Sequence, residues 1–201
     1  MKISDKHTIM IIGLLFFVIS TSGCVEIDGD LNQLINYFSS GKNYTVEDTS
    51  YKNLNIETPV KTFSGYGVSF KYPSSWFVNS DNQTGPNIIS VFKGVSLGGA
   101  QFSLEQIPNE GMTEESTIRG FQNSIIPGWT KKSSYWISID SEKAYEDVYF
   151  VNDSNFRESR IVHIYLVKNN TTYFISLQAP DKDFDNEKPY FGMILNSLKI
   201  G

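Results

Sequence analysis

Apolar and polar residues alternate in short runs through most of the chain beyond residue 60, a period of two that predicts strands. The run that organises the rest is Gly65-Tyr66-Gly67-Val68-Ser69-Phe70-Lys71-Tyr72-Pro73-Ser74-Ser75-Trp76-Phe77-Val78. Val68, Phe70 and Tyr72 give one apolar face, and Ser69 and Lys71 the wet one. Pro73 has no N–H to donate to a ladder, so the strand should stop there. Trp76 then brings a large apolar surface into the core and starts the return strand. The same pattern predicts strands at Ile88–Phe92, Ala100–Ile107, Trp129–Ile139, Lys143–Val151, Arg160–Val167 and Tyr173–Ala179, with glycine, asparagine and aspartate turns between them.

Two stretches switch to helical spacing. In Thr113–Ile126, Thr113 and Ser116 offer caps, Glu114 and Glu115 suit a helix N-terminus, and Ile118, Phe121 and Ile125 form a stripe. Pro127-Gly128 should end it. In Phe184–Leu198 the core face is Phe184, Phe191, Ile194, Leu195 and Leu198, with Asp183 or Asp185 as cap and Pro189 in the first turns. Strands in runs, interrupted by two helices without regular βαβ order, predict an α+β domain: an antiparallel β-sheet covered by helices.

The first 60 residues follow a different pattern. Lys2 and Lys6 precede an apolar run from Ile9 to Ile19, too short for a comfortable membrane span and followed by small polar residues. Thr21-Ser22-Gly23-Cys24 resembles a lipobox, with Thr21 departing from the usual aliphatic residue. The alternative is an uncleaved N-terminal helix with an incidental cysteine. Residues 1–23 are therefore expected to be a signal peptide, with Cys24 as the lipidation site. Leu31, Leu34, Ile35 and Phe38 predict a short amphipathic helix, and a polar stretch from Lys42 to Thr58 reads as linker. The expected division is a signal peptide 1–23, a lipid-anchored tether 24–59 and a domain 60–201, placed on the extracytoplasmic face of the cell membrane.

Composition narrows the function. The 201-residue chain carries a formal net charge of -5, which argues against nucleic acid as partner. Cys24 is the only cysteine, so no intramolecular disulfide and no cysteine-based zinc cage can form. Asn43, Asn82, Asn152, Asn169 and Asn170 each open a glycosylation acceptor pattern, as expected of an exported glycoprotein.

Catalytic signals are few. Once His7 leaves with the signal, His163 is the single histidine, in a strand pattern that favours a sheet-face role. A Ser-His-Asp site would need folding to bring Ser and Asp to it, and no nucleophile elbow is present. Glu105, Glu114, Glu115, Glu142, Glu146 and Asp147 show no spacing of a paired-carboxylate hydrolase. Gly94-Val95-Ser96-Leu97-Gly98-Gly99 lacks the spacing and the lysine of a phosphate loop. Asp181, Asp183 and Asp185 are the metal candidates, since alternating carboxylates can converge on one hard cation. Asn186 and Gly192 stand where a calcium loop needs glycine and glutamate, and helix capping explains the same acids. Trp76, Trp129, Trp136, Tyr145, Tyr149 and Phe150 could line a ligand groove or simply fill the core. No cofactor is expected.

Three segments together resemble a known family: Gly67-Val68-Ser69-Phe70-Lys71-Tyr72-Pro73-Ser74-Ser75-Trp76, then Tyr173-Phe174-Ile175-Ser176-Leu177-Gln178-Ala179-Pro180, then the closing helix through Phe191-Gly192-Met193-Ile194-Leu195-Asn196-Ser197-Leu198. This resembles the PsbP family, named for an extrinsic subunit of the photosynthetic oxygen-evolving complex, and in particular the lipoprotein-like PsbP-related proteins of methanogenic archaea. The resemblance covers about residues 60–200 and implies an α-β-α sandwich built on an antiparallel sheet. Its motifs are structural. The expected function is a non-enzymatic, lipid-anchored module of the archaeal envelope that binds an envelope or membrane protein. The alternative is a solute- or metal-ion-binding lipoprotein.

Overall fold

The computed structural model describes residues 51, 56–81, 86–94, 99–123, 126–153 and 157–201. Cys24, Asn43, Asn82 and the predicted amphipathic helix lie outside them. In chain order the elements are β1 (Val60–Gly65), β2 (Val68–Pro73), β3 (Phe77–Asp81), β4 (Asn87–Phe92), β5 (Gln101–Pro108), α1 (Glu114–Gln122), β6 (Trp129–Ile139), β7 (Glu142–Asp153), β8 (Arg157–Lys168), β9 (Thr171–Pro180), α2 (Asp181–Ser197) and β10 (Lys199–Ile200). They form a three-stranded sheet, β1-β2-β10, and a seven-stranded sheet, β3-β4-β5-β9-β8-β7-β6. Every pairing is antiparallel, and the predicted α+β class holds.

Local chemistry explains the turns. Three hairpins close through two residues that both have positive φ: Tyr66-Gly67, Asp140-Ser141 and Asn169-Asn170. Such turns match the right-handed twist of the strands they join, and asparagine, aspartate and glycine bear that conformation most easily. The proline turn behaves as its sequence predicts. The Trp76 N–H donates to the Pro73 carbonyl at 2.9 Å, and the indole is 3% exposed against Tyr190 and Phe191. The strand itself starts one residue later, at Phe77.

The main core lies on one face of the large sheet. Val162, Ile164 and Leu166 of β8, with Ile175 and Leu177 of β9, pack under Phe184, Phe191, Ile194 and Leu195 of α2 and under Val68 and Phe70 of β2. Each of those helix residues contributes roughly 1.5–3 kcal/mol by burial. The intervening residues of β7 and β8 face the other way, where Ile118 of α1 packs with Tyr145 and Tyr165.

Several expectations need correction. β1 and β10 are not among the predicted strands. α1 keeps its Thr113 cap, whose hydroxyl accepts from the Ser116 N–H at 3.2 Å, but it ends at Gln122 and not at Ile126. α2 begins at Asp181, three residues early, so neither Asp183 nor Asp185 caps it. Its N-cap is Pro180, which makes no side-chain cap bond. Pro189 is consequently the ninth helical residue, where it removes an interior hydrogen bond. Burial of Phe184 and Phe191, 5.7 Å apart, holds the helix together through that point.

Tyr51, within the stretch read as linker, is buried. It joins the same core cluster as α2.

Candidate functional site

Strand register brings together what the sequence keeps far apart. Ser90, Ser103, Ser176, His163, Asp147 and Ser134 are successive cross-strand partners over β4, β5, β9, β8, β7 and β6. Paired residues share a face, so all six lie on the α1 side of the sheet. Ser176, His163 and Asp147 are thus neighbours in a hydrolase-like order.

The hydrogen bonds run elsewhere. The Asp147 carboxylate is fully buried and accepts from Lys131 Nζ at 2.9 Å, Ser134 Oγ at 2.6 Å and Tyr149 Oη at 3.2 Å. His163 Nδ1 shares its bond with Tyr165 Oη at 3.2 Å. Its ring is boxed by Trp129, Tyr149 and Phe174, with centroids 4.9–5.5 Å away. Burial first, and Lys131 second, lower the imidazole to about 3, so it is neutral across the physiological range. A triad needs histidine bonded to the carboxylate, and a base that titrates near working pH. Here the carboxylate is held by Lys131, Ser134 and Tyr149, and the histidine by Tyr165. Burial and Asp147 also push the Tyr149 phenol well up, so it stays a hydrogen-bond donor. Asp147 with Lys131, Ser134 and Tyr149 thus forms a hydrogen-bonded polar cluster across β6 and β7.

The other sequence candidates divide. Asp181 and Asp185 both meet one guanidinium: Arg160 Nη2 lies 2.9 Å from Asp181 and Nη1 2.8 Å from Asp185, above the Phe184 ring. An arginine therefore stands where a cation would. Among the described residues no cluster of three or more His, Cys, Asp or Glu side chains is arranged for a metal. Calcium in millimolar excess over chelator should leave the melting temperature unchanged. A real site would add roughly 3 kcal/mol at a hundredfold excess over its Kd, and Asp183→Ala would abolish that shift.

Asn152, Asn169 and Asn170 are exposed, the last two in the β8–β9 turn. The six aromatics named as a possible groove do not converge. Trp76 is in the main core, Trp129 and Tyr149 flank His163, and Trp136 and Tyr145 pack under α1. Phe150 lies on β7 beneath Lys132.

The sheet's two edges differ. β6, at one end, carries Lys131 and Lys132 and a register shift between Lys131 and Ser133. Lysines and a bulge are the usual means of discouraging edge pairing. β3, at the other end, reads Phe77-Val78-Asn79-Ser80-Asp81 and has neither. Phe77 is 50% exposed and stacks on Phe92 at 6.0 Å. Sequence reasoning placed Phe77 in the return strand after Trp76 and gave it no role of its own. The available signal was its alternation with Val78, which turns inward.

No protein-family model matches the chain, and no curated protein matches its sequence. Among solved structures it is similar to the solution structure of CyanoP, the cyanobacterial PsbP of Synechocystis sp. PCC 6803. The TM-score is 0.50 at 13% identity, over 74% of this chain and 96% of that one. It is also similar to LpqN of Mycobacterium tuberculosis, described as involved in cell envelope biogenesis, with TM-score 0.43 and 11% identity over 80% of this chain and 99% of that one. The first likeness makes the fold PsbP-like.

Proposed function

We propose that this chain is a non-enzymatic accessory module of the cell envelope, anchored outside the cytoplasmic membrane by lipid on Cys24, that docks a membrane or envelope protein through the β3 edge. In this reading α1 and α2 are the outer layers of an α-β-α sandwich of the kind found in PsbP-related lipoproteins of methanogenic archaea. Asn152, Asn169 and Asn170 are open to glycosylation.

The observation that carries it is the contrast between the two sheet edges. A blunted β6, and a β3 that among the described residues has neither lysine nor bulge and carries the half-exposed Phe77 stacked on Phe92, fit a sheet that accepts an added strand at one end only. The neutral His163 and the fully hydrogen-bonded Asp147 support a binding role.

Phe77→Asp tests the reading. Its side chain is half in water but stacks on Phe92 within a strand, so the substitution should cost about 1–2 kcal/mol and leave the domain folded. Recovery of the partner from native membranes should fall to background. Equal recovery by the folded variant would refute docking at β3. The anchor has its own test: an unmodified Cys24 still preceded by Gly23 in the mature chain would refute it.

A further inference from the structure

We propose that the α1 side of the sheet, where it is floored by β4, β5 and β9, is a binding site for a short neutral oligosaccharide. Cross-strand register lays out the floor. Phe92, Gln101 and Gln178 form one row, and Ser90, Ser103 and Ser176 the next. Residues two apart on a strand share a face, so both rows lie on the α1 side. The helix itself packs over the row beyond them, where Phe121 stacks on Tyr165 at 4.2 Å and on Phe174 at 6.3 Å. With strands about 4.8 Å apart and rows about 7 Å apart, the floor has room for about two sugar rings.

Two observations point to a ligand. The two glutamines and three serines are half-buried, yet among the described residues none of their side chains hydrogen-bonds to the protein. Two residues along β5 from Ser103, on the same face, Glu105 is 9% exposed and its Oε1 has no hydrogen-bond partner. Its registered neighbours, Ile88 on β4 and Phe174 on β9, have no side-chain donor to offer. A buried carboxyl oxygen without a donor carries a cost that a ligand hydroxyl removes.

The chemistry of the floor selects the ligand. Serine hydroxyls and glutamine amides both donate and accept, as a ring of sugar hydroxyls requires. Phe92, stacked with Phe77 at 6.0 Å, closes one end with an aromatic face that suits the C–H side of a pyranose. No side chain of the two rows is ionisable, so an anionic ligand would lose its hydration without gaining a counter-charge. A face that served solubility alone would carry lysine and glutamate of both signs. The site lies beside the β3 edge and does not depend on docking there.

An array of short neutral oligosaccharides of glucose, galactose, mannose and N-acetylglucosamine, with their uronate and sulfated counterparts, tests this on the full mature chain. At least one neutral member should bind, and its charged counterparts should bind about tenfold more weakly or worse. Gln101→Ala combined with Gln178→Ala removes two amides that are half in water, so the melting temperature should hold while affinity falls about tenfold or more. Ser138→Ala, at an exposed position on β6, should bind as the native chain does. Neither glutamine lies on β3, so partner recovery through that edge should stay at the native level in the double variant. Binding to no neutral member, binding unchanged in the folded double variant, or a preference for charged members overturns the proposal. So does loss of partner recovery in that variant, which would make this face part of a protein interface.

Discussion

Replacing Trp76 by alanine should cost about 3–5 kcal/mol of folding stability, read as a shift of the denaturant midpoint at constant slope. The indole is buried where the proline turn meets α2. Its ring lies 5.9 Å from Tyr190 and 6.0 Å from Phe191, with the latter edge-on. Truncation loses the transfer of a large apolar group and leaves a cavity that the backbone cannot easily fill. Pro73 and β2 fix one wall through the Ser74 N–H to Pro59 carbonyl bond and the Trp76 N–H to Pro73 carbonyl bond. The helix forms the other. A loss below about 0.5 kcal/mol would mean that Trp76 faces solvent, contrary to this packing.

Glu146→Gln should have the second large effect, and its sign depends on pH. The folded-state carboxyl is raised to about 7 from an ordinary value of 4.5. A raised carboxyl means that the native state binds more protons than the unfolded chain. Its contribution is fully present below about pH 4.5 and is lost as pH rises through about 7. A difference of that size corresponds to about 3 kcal/mol. The variant should thus gain on the native protein progressively from pH 5 to pH 8, by up to about 3 kcal/mol. Glu105, whose carboxyl is also raised by burial, acts in the same direction in both proteins and drops out of the comparison. Asp140 acts oppositely. Burial raises its carboxyl, but the Ile200 N–H, Lys199 and Lys168 more than offset this, so its contribution is lost as pH falls. A constant gap between native and variant from pH 5 to pH 8 would contradict the burial of Glu146.

Local chemistry was legible in the sequence where one residue type forces one conformation. Pro73 ends β2, Trp76 enters the core, Thr113 caps α1, and β6 runs over the predicted span from Trp129 to Ile139. β1 was not legible, because Val60, Lys61 and Thr62 are exposed and show no buried face. Among the described residues its only strand partner is β2, with Phe63 packed against the core beside Phe70. The α2 start was misread for a related reason. Asp181, Asp183 and Asp185 look like caps, but two of them answer an arginine on a neighbouring strand, placed there by the β8–β9 register. The row containing Ser176, His163 and Asp147 is likewise a product of register, which spacing along the chain does not encode. Tyr51 gave no periodic signal because it is one buried aromatic in a polar stretch.

Docking at the β3 edge is the central claim. A photoreactive phenylalanine analogue placed at position 77 tests it directly, with the same analogue at Tyr135 on the β6 edge as the matched exposed control. Irradiation in native membranes should crosslink position 77 to one protein of the envelope or membrane, and position 135 to none. Crosslinking from neither position, or equally from both, would contradict the account.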